Sequence, residues 1–366
     1  MKQRTKDALV VSVSLGLLLT AGVLALCLPW GDFSETERRY RAQAPSAPEL
    51  TRWRTDQETE SYLSDRVPLR ELLVETDALA QTVSGRRTQL AAWPAAGALL
   101  EPPVRGEPAA LKRRAAQLQK LAEQAGAPWY LLVPPTHGSL LRGRMNPLLS
   151  ALYAREDSLM ETLAETGHAV ALTEAFTALE APYYRTDHHW TLEGARAAYE
   201  AFCAAAGREA APETAFRTER YPGFRGTTAS RSGIFLGGAD TLCCAEPREP
   251  VTLTVPDSGE TYDHLIFPEN AESWDGYAVY LNGNHGLLRV ENPAAPEGRL
   301  MVFRDSFASC LIPLLSASWR VVTAVDARYY SGSFSEALAE EKTDAVLFCY
   351  SLDSVMNDTM LARKAR

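Results

Sequence analysis

Arg299-Leu-Met-Val-Phe303, running into Arg304-Asp305-Ser306-Phe307, decides the fold. The first five residues form an apolar run of the length of a buried strand. The spacing that follows predicts a helix over Phe307–Trp319, bent or started near Pro313. A serine at a strand-to-helix turn stands at the C-terminal end of a sheet. Its own N–H and those of its neighbours point outward there, with the positive end of the helix dipole. Those are the parts of a nucleophile with an oxyanion site. A plain serine N-cap without chemistry uses the same residues.

The same alternation extends outward. Val321–Val325 and Ala345–Phe348 read as strands, with a helix around Phe334–Glu341 between them. Upstream, a helix over 108–126 ends at Gly126, a suitable residue for the left-handed turn after a helix. A short apolar strand follows between Pro128 and Pro134, then a helix over 147–166 and a strand at His168–Leu172. Strands alternating with helices predict an α/β fold built on a parallel sheet covered by helices. Residues 217–292 break the pattern. They are rich in Gly, Thr, Tyr and Asn, carry alternating runs such as Val251-Thr-Leu-Thr-Val255, and read as an inserted loop-and-strand subregion.

Asp187-His188-His189-Trp190 precedes a helix whose N-cap is Thr191 and whose apolar face is Ala195, Ala198, Tyr199 and Phe202. A serine hydroxyl needs a base, and a histidine needs a carboxylate to fix its tautomer. Asp187 and a histidine two residues on supply both. A metal site is the alternative for the Asp-His-His run. Adjacent loop histidines point apart, however, and a phosphoesterase centre needs several further carboxylates that the sequence does not place. Trp190, Tyr183 and Tyr184 read as packing residues around this loop. No metal or cofactor is expected.

The N-terminus sets the compartment. Ala8 to Leu28 is uncharged, preceded by Lys2, Arg4 and Lys6 and ended by Pro29-Trp30. At 1.5 Å per residue it spans roughly 31 Å, about one bilayer core. The run is long for a cleaved signal peptide, and no A-x-A-like site follows it cleanly. Leu26 before Cys27 excludes a lipoprotein site. The expectation is a membrane anchor over 1–31 and an extracytoplasmic α/β domain over 32–366, oriented by the short basic tail. The six cysteines include no C-x-x-C pair; Cys310 and Cys349 lie in apolar runs and read as buried small hydrophobes. The net charge of −9 argues against a nucleic-acid partner. The apolar content, 46%, excludes a largely disordered chain. No P-loop, dinucleotide fingerprint or H-E-x-x-H motif occurs.

Thr186-Asp-His-His-Trp-Thr191, with Gly194-Ala195 after it, resembles the signature of the DHHW-motif proteins of bacterial cell envelopes. Phe33-Ser-Glu-Thr-Glu-Arg38, Tyr62-Leu-Ser-Asp-Arg-Val-Pro-Leu-Arg70, Tyr280–Leu287, Arg304–Ala308 and Val325–Tyr330 match the family in the same order. These proteins are similar to the SGNH-hydrolase-like alginate O-acetylation proteins. The resemblance implies a three-layer α/β/α, flavodoxin-like sandwich in which the Asp-x-His block precedes the serine block. It implies Ser306 as nucleophile, His189 as base and Asp187 as its orienter, with His188 in the variable middle position. It implies acetyl transfer onto, or removal from, a cell-surface polysaccharide, with a multi-span membrane acyltransferase as donor partner. Two departures stand out. Arg304 occupies the place of the usual Gly, and the oxyanion-hole Asn has no certain counterpart; Asn282, Asn284 and the position of Ser351 are the candidates. Arg328, Tyr329 and Tyr330, just past a strand end, are glycan-contact candidates together with Asn284. The competing expectation is a catalytically silent glycan-binding or scaffold protein on the same fold.

Overall fold

The computed structural model describes residues 2–45, 55–86, 93–234 and 238–365. Two compact units emerge: Met1–Ala91 with Ala229–Gly237, and Ala92–Thr228 with Gly238–Arg366.

In the first unit, helix α1 covers Lys2–Cys27, and its Thr5–Cys27 stretch is long and apolar enough to cross a bilayer. Two further helices belong to this unit, α2 (Thr55–Ser64) and α3 (Arg70–Val83). Pro68 lies in the break, and Leu69 beside it takes a left-handed conformation with φ 62°. The two sequence blocks around Glu37 and Asp65 hold each other. Arg39 forks onto Asp65 at 2.8 and 2.5 Å and reaches Glu37 at 2.7 Å, and Arg70 reaches Glu37 at 2.7 Å. The hydrogen bond from Arg39 lowers the Asp65 pKa to about 2, against the opposing effect of burial.

The second unit carries nine strands of interest: β1 (Trp129–Leu132), β2 (Phe216–Phe224), β3 (Asp240–Pro247), β4 (Thr252–Val255), β5 (Glu260–Tyr262), β6 (Leu287–Glu291), β7 (Arg299–Arg304), β8 (Val321–Asp326) and β9 (Ala345–Cys349). Seven form one sheet in the order β1-β9-β7-β8-β6-β4-β5. Strands β1, β9, β7 and β8 are parallel, as the strand–helix alternation predicts. The rest of the sheet is antiparallel, which corrects the expectation of a parallel sheet throughout. The cause lies in the connections. Only residues 292–298 join β6 to β7, fewer than the dozen or so that a parallel crossover needs. Within 217–292, β4 and β5 therefore extend the main sheet, while β2 and β3 pair apart from it.

Alternate residues of each parallel strand enter opposite cores. Leu300 and Val302 of β7 pack toward α6 (Leu192–Ala205) and α7 (Leu311–Leu315), with Phe202, Leu311 and Leu314. Met301 and Phe303 pack toward α4 (Pro108–Ala122), α5 (Asp157–Ala164) and α8 (Phe334–Glu340), with Leu118, Leu163 and Phe334. The result is helix, sheet, helix, with central strands buried on both faces. The expected strand at His168–Leu172 reduces to a single parallel bridge, Leu131 to Ala169. The expected helix over 147–166 is broken into Pro147–Tyr153, a 3₁₀ turn and α5.

The ends of β7, β8 and β9 lie in register, Arg304 beside Asp326 and Cys349. Everything that follows these strands reaches the same edge.

Candidate active site

The serine turn comes first. Ser306 opens a 3₁₀ turn, Ser306–Ser309, and only then does α7 begin, so the long helix expected over Phe307–Trp319 is a tight turn and a short helix. Pro313 is tolerated because it falls in the first turn of α7, where N–H groups have no intrahelical partner. Asp305 caps the turn. Its Oδ1 accepts from Phe307 N at 2.9 Å and its Oδ2 from Ser351 N at 2.8 Å, which ties the turn to the chain leaving β9. Ser306 is partly exposed. As first residue of the turn it offers an N–H with no partner inside the turn.

The Asp-His loop is held from three sides. Tyr183 and Trp190 form an antiparallel bridge across it, and Tyr184 N donates to His189 O at 3.2 Å. Thr191 caps α6 by accepting from Gly194 N at 3.3 Å. Asp240 Oδ2 accepts from Thr186 N at 2.8 Å and from its hydroxyl at 2.6 Å. Trp190 is fully buried, donates Nε1–H to Cys310 Sγ at 2.7 Å and meets Phe307 edge-on at 5.3 Å. It is a core residue, and Cys310 and Cys349 are buried thiols.

Loop and turn meet at His189. Asp187 Oδ1 accepts from His189 N at 2.9 Å and lies 2.5 Å from Nδ1, while Nε2 lies 2.8 Å from Ser306 Oγ. The other Asp187 oxygen accepts from Thr227 N at 2.5 Å. Gly226 allows this approach: a Cβ there would sit 2.1 Å from Asp187 Cβ and Oδ2. Tyr277 closes the far side, its ring stacked on the imidazole at 3.9 Å and 7°. Burial alone would raise the Asp187 pKa. The imidazoles of His189 and His188, and the hydrogen bonds from His189, hold it well below the carboxylate range. Burial, reinforced by His188, lowers the pKa of His189 against the pull of Asp187. Asp187 is thus a carboxylate and His189 a neutral imidazole at neutral pH. With Nδ1–H donated to Asp187, Nε2 is free to accept a proton from Ser306.

His188 stands apart from this chain of contacts. Its ring lies 4.0 Å from that of His189, and its Nδ1 is 3.9 Å from Glu101 Oε1 and 3.7 Å from Asp187 Oδ1. Asp187, His188 and His189 place one donor atom each within 4.8 Å of one another. Both nitrogens of His189 already face Asp187 and Ser306, so a metal there would compete with the contact between base and serine.

The remaining candidates disperse. Arg328 forks onto Asp326 at 2.9 and 2.6 Å, so its guanidinium is committed. Tyr329 is exposed, whereas Tyr330 turns into the core beside Phe334. Asn284 is exposed on the turn before β6, at the sheet edge that carries Ser306. Asn282 is engaged by Asn270 at 2.9 Å and Tyr262 at 3.3 Å. Ser351 caps the helix at Leu352–Asn357, accepting from Ser354 N. Sequence reasoning missed Tyr277, Gly226, Thr227 and Asp240. Tyr277 and the backbone of Thr227 sit in the irregular region 217–292, where no periodicity marks them.

The family model described as "SGNH hydrolase-like domain, acetyltransferase AlgX" matches residues 93–267. The chain is similar to a DHHW family protein from Eubacterium siraeum, with a TM-score of 0.65 and 20% identity over 75% of this chain and 94% of that one. It is similar also to Bacillus cereus PatB1, whose structure was solved with a sulfonyl adduct, with a TM-score of 0.60 and 20% identity over 75% and 98%. No curated protein matches it. In both sequence order and architecture the second unit is an SGNH-hydrolase-like α/β domain, with its Asp-x-His loop ahead of its serine turn.

Proposed function

We propose that Ser306, His189 and Asp187 form an acyl-transfer centre that moves acetyl groups to a hydroxyl of a cell-surface polysaccharide. The observation that carries this is the single imidazole bridging a buried carboxylate and a partly exposed serine hydroxyl. The acetyltransferase description of the matching family model supports the reaction class, and the PatB1 fold is compatible with it.

The chemistry proceeds in two halves. Ser306 Oγ attacks the carbonyl carbon of an acetyl ester as its proton passes to His189 Nε2. The resulting oxyanion faces the Ser306 N–H. The C–O bond to the donor breaks, and the leaving alkoxide takes the proton from Nε2. A sugar hydroxyl then gives its proton to Nε2 and attacks the acetyl-serine, and Ser306 leaves with that proton. Water in place of the sugar makes the same centre an esterase. Tyr329 and Asn284, exposed at this edge, are the proposed glycan contacts. The helix at 5–27 is the proposed anchor, which places the domain outside the cell with a multi-span membrane acyltransferase as acetyl supplier.

The test is acetyl release from p-nitrophenyl acetate by the full chain in detergent micelles. Wild-type turnover well above that of Ser306→Ala and His189→Ala is expected. Equal rates in all three would leave a glycan-binding protein on an enzyme-like fold.

A further inference from the structure

The residue before the Asp305-Ser306 pair is an anomaly. Arg304 is fully buried, at 0% exposure. Its NH1 donates to Ser309 Oγ at 3.0 Å, and its Nε and NH2 have no hydrogen-bond partner among the described residues. A buried guanidinium with one hydrogen bond is costly, and native structures rarely keep one without a use. Pairing its neighbours is not that use. Asp326, beside it in the sheet, is already forked by Arg328 and accepts from Arg328 N at 3.0 Å. Asp305 already has Phe307 N and Ser351 N. Removing Arg304 would therefore leave no carboxylate unpaired. Its one bond goes to the far end of the Ser306–Ser309 turn, and its backbone lies two residues from the nucleophile.

We infer that Arg304 is a positioning residue for acyl transfer: it holds the serine turn through Ser309 and sets a buried positive charge beneath the turn where the oxyanion develops. In a water-excluded site such a charge acts over several ångströms without contact. The arrangement trades stability for reactivity, as sites under catalytic demand do. Burial works against the charged form of this guanidinium, while Asp326 favours it, which is consistent with a charge kept at a cost.

This inference rests on the acyl-transfer reading, and the experiment separates the two. Arg304→Met and Arg304→Lys are compared with wild type and Ser306→Ala, as full chains in micelles, for kcat, KM and thermal midpoint. Arg304→Met is expected to lose about tenfold or more in kcat with KM unchanged. Its midpoint is expected to equal or exceed that of wild type, because an under-bonded buried charge has gone. Arg304→Lys, which keeps the charge, is expected to recover most of kcat. Wild-type kcat in Arg304→Met overturns the inference. So does an equal loss in both variants together with a lowered midpoint, which marks a purely structural side chain. Should Arg304→Met not fold, Arg304→Gln decides, with wild-type kcat again overturning the inference. Wild-type turnover no greater than that of Ser306→Ala would instead defeat the acyl-transfer reading, and this inference with it.

Discussion

At the scale of single residues, His189 carries the most consequences. Its pKa is lowered below 6.5 by burial and His188, so the reactive neutral form persists into mild acid. The kcat/KM profile is expected to be flat above pH 6.5 and to fall below it, as protonation removes the base. A profile with its acid limb centred well above 6.5 would contradict this environment. Asp187→Asn keeps size but loses the charge that fixes the Nδ1–H tautomer. A loss on the order of 10³-fold or more in kcat is expected, with little change in KM. Gly226→Ala puts a methyl 2.1 Å from the Asp187 side chain. The prediction is a lowered thermal midpoint together with lost turnover, because the carboxylate must move. Unchanged turnover in that variant would show that Asp187 need not occupy its present place.

At the scale of elements, the site hangs on short pieces with strong local caps. The turn Ser306–Ser309 is fixed by Asp305, and α6 by Thr191. Helix α8 has a complete capping box, in which Ser333 and Glu336 bond to each other and not to the Asp187, His189 and Ser306 side chains. Ser333→Ala is expected to cost about 1 kcal/mol of unfolding free energy in a denaturant titration and to leave acyl release untouched. A loss of activity equal to that of a triad variant would mean that α8 controls the site, which the present contacts do not provide. The local pieces were legible in the sequence. Asp187 and His189 are two residues apart, and the strand before Ser306 is a continuous apolar run. What joins them was not legible, because His189 and Ser306 are separated by 117 positions and only the resemblance linked them. The burial of Tyr330 escaped for another reason: beside a strand end, a buried tyrosine and one that faces solvent have the same sequence pattern.

At the scale of the whole molecule, the second unit carries two histidines whose pKa burial lowers. His137, stacked on Tyr183 at 5.0 Å, has its pKa lowered to about 4, chiefly by burial. His189 is lowered likewise. Both groups bind fewer protons folded than unfolded between pH 6.5 and their native values. Stability is therefore full above about pH 6.5 and falls as the pH drops through that window. His137 alone accounts for about 3 kcal/mol lost by pH 4. A denaturant series from pH 7 to 4 reads this directly, and a constant unfolding free energy would contradict the burial of these rings. The antiparallel half of the sheet belongs to this scale too. Strand–helix alternation spoke for β1, β7, β8 and β9, whereas β4, β5 and β6 answer to connection lengths that a residue-by-residue pattern does not weigh. The same irregular stretch supplies Thr227, which bonds Asp187, and Tyr277, which stacks on His189, so part of the support around the pair comes from the part of the chain that was hardest to read.

The central claim is that Ser306 is a nucleophile made reactive by His189. Intact-mass and peptide mass spectrometry of the full chain after exposure to an aryl sulfonyl fluoride tests it most directly. The account predicts one sulfonyl adduct, on Ser306, that is absent in Ser306→Ala and forms far more slowly in His189→Ala. An unmodified wild-type chain, or an adduct formed at the same rate without His189, would contradict it.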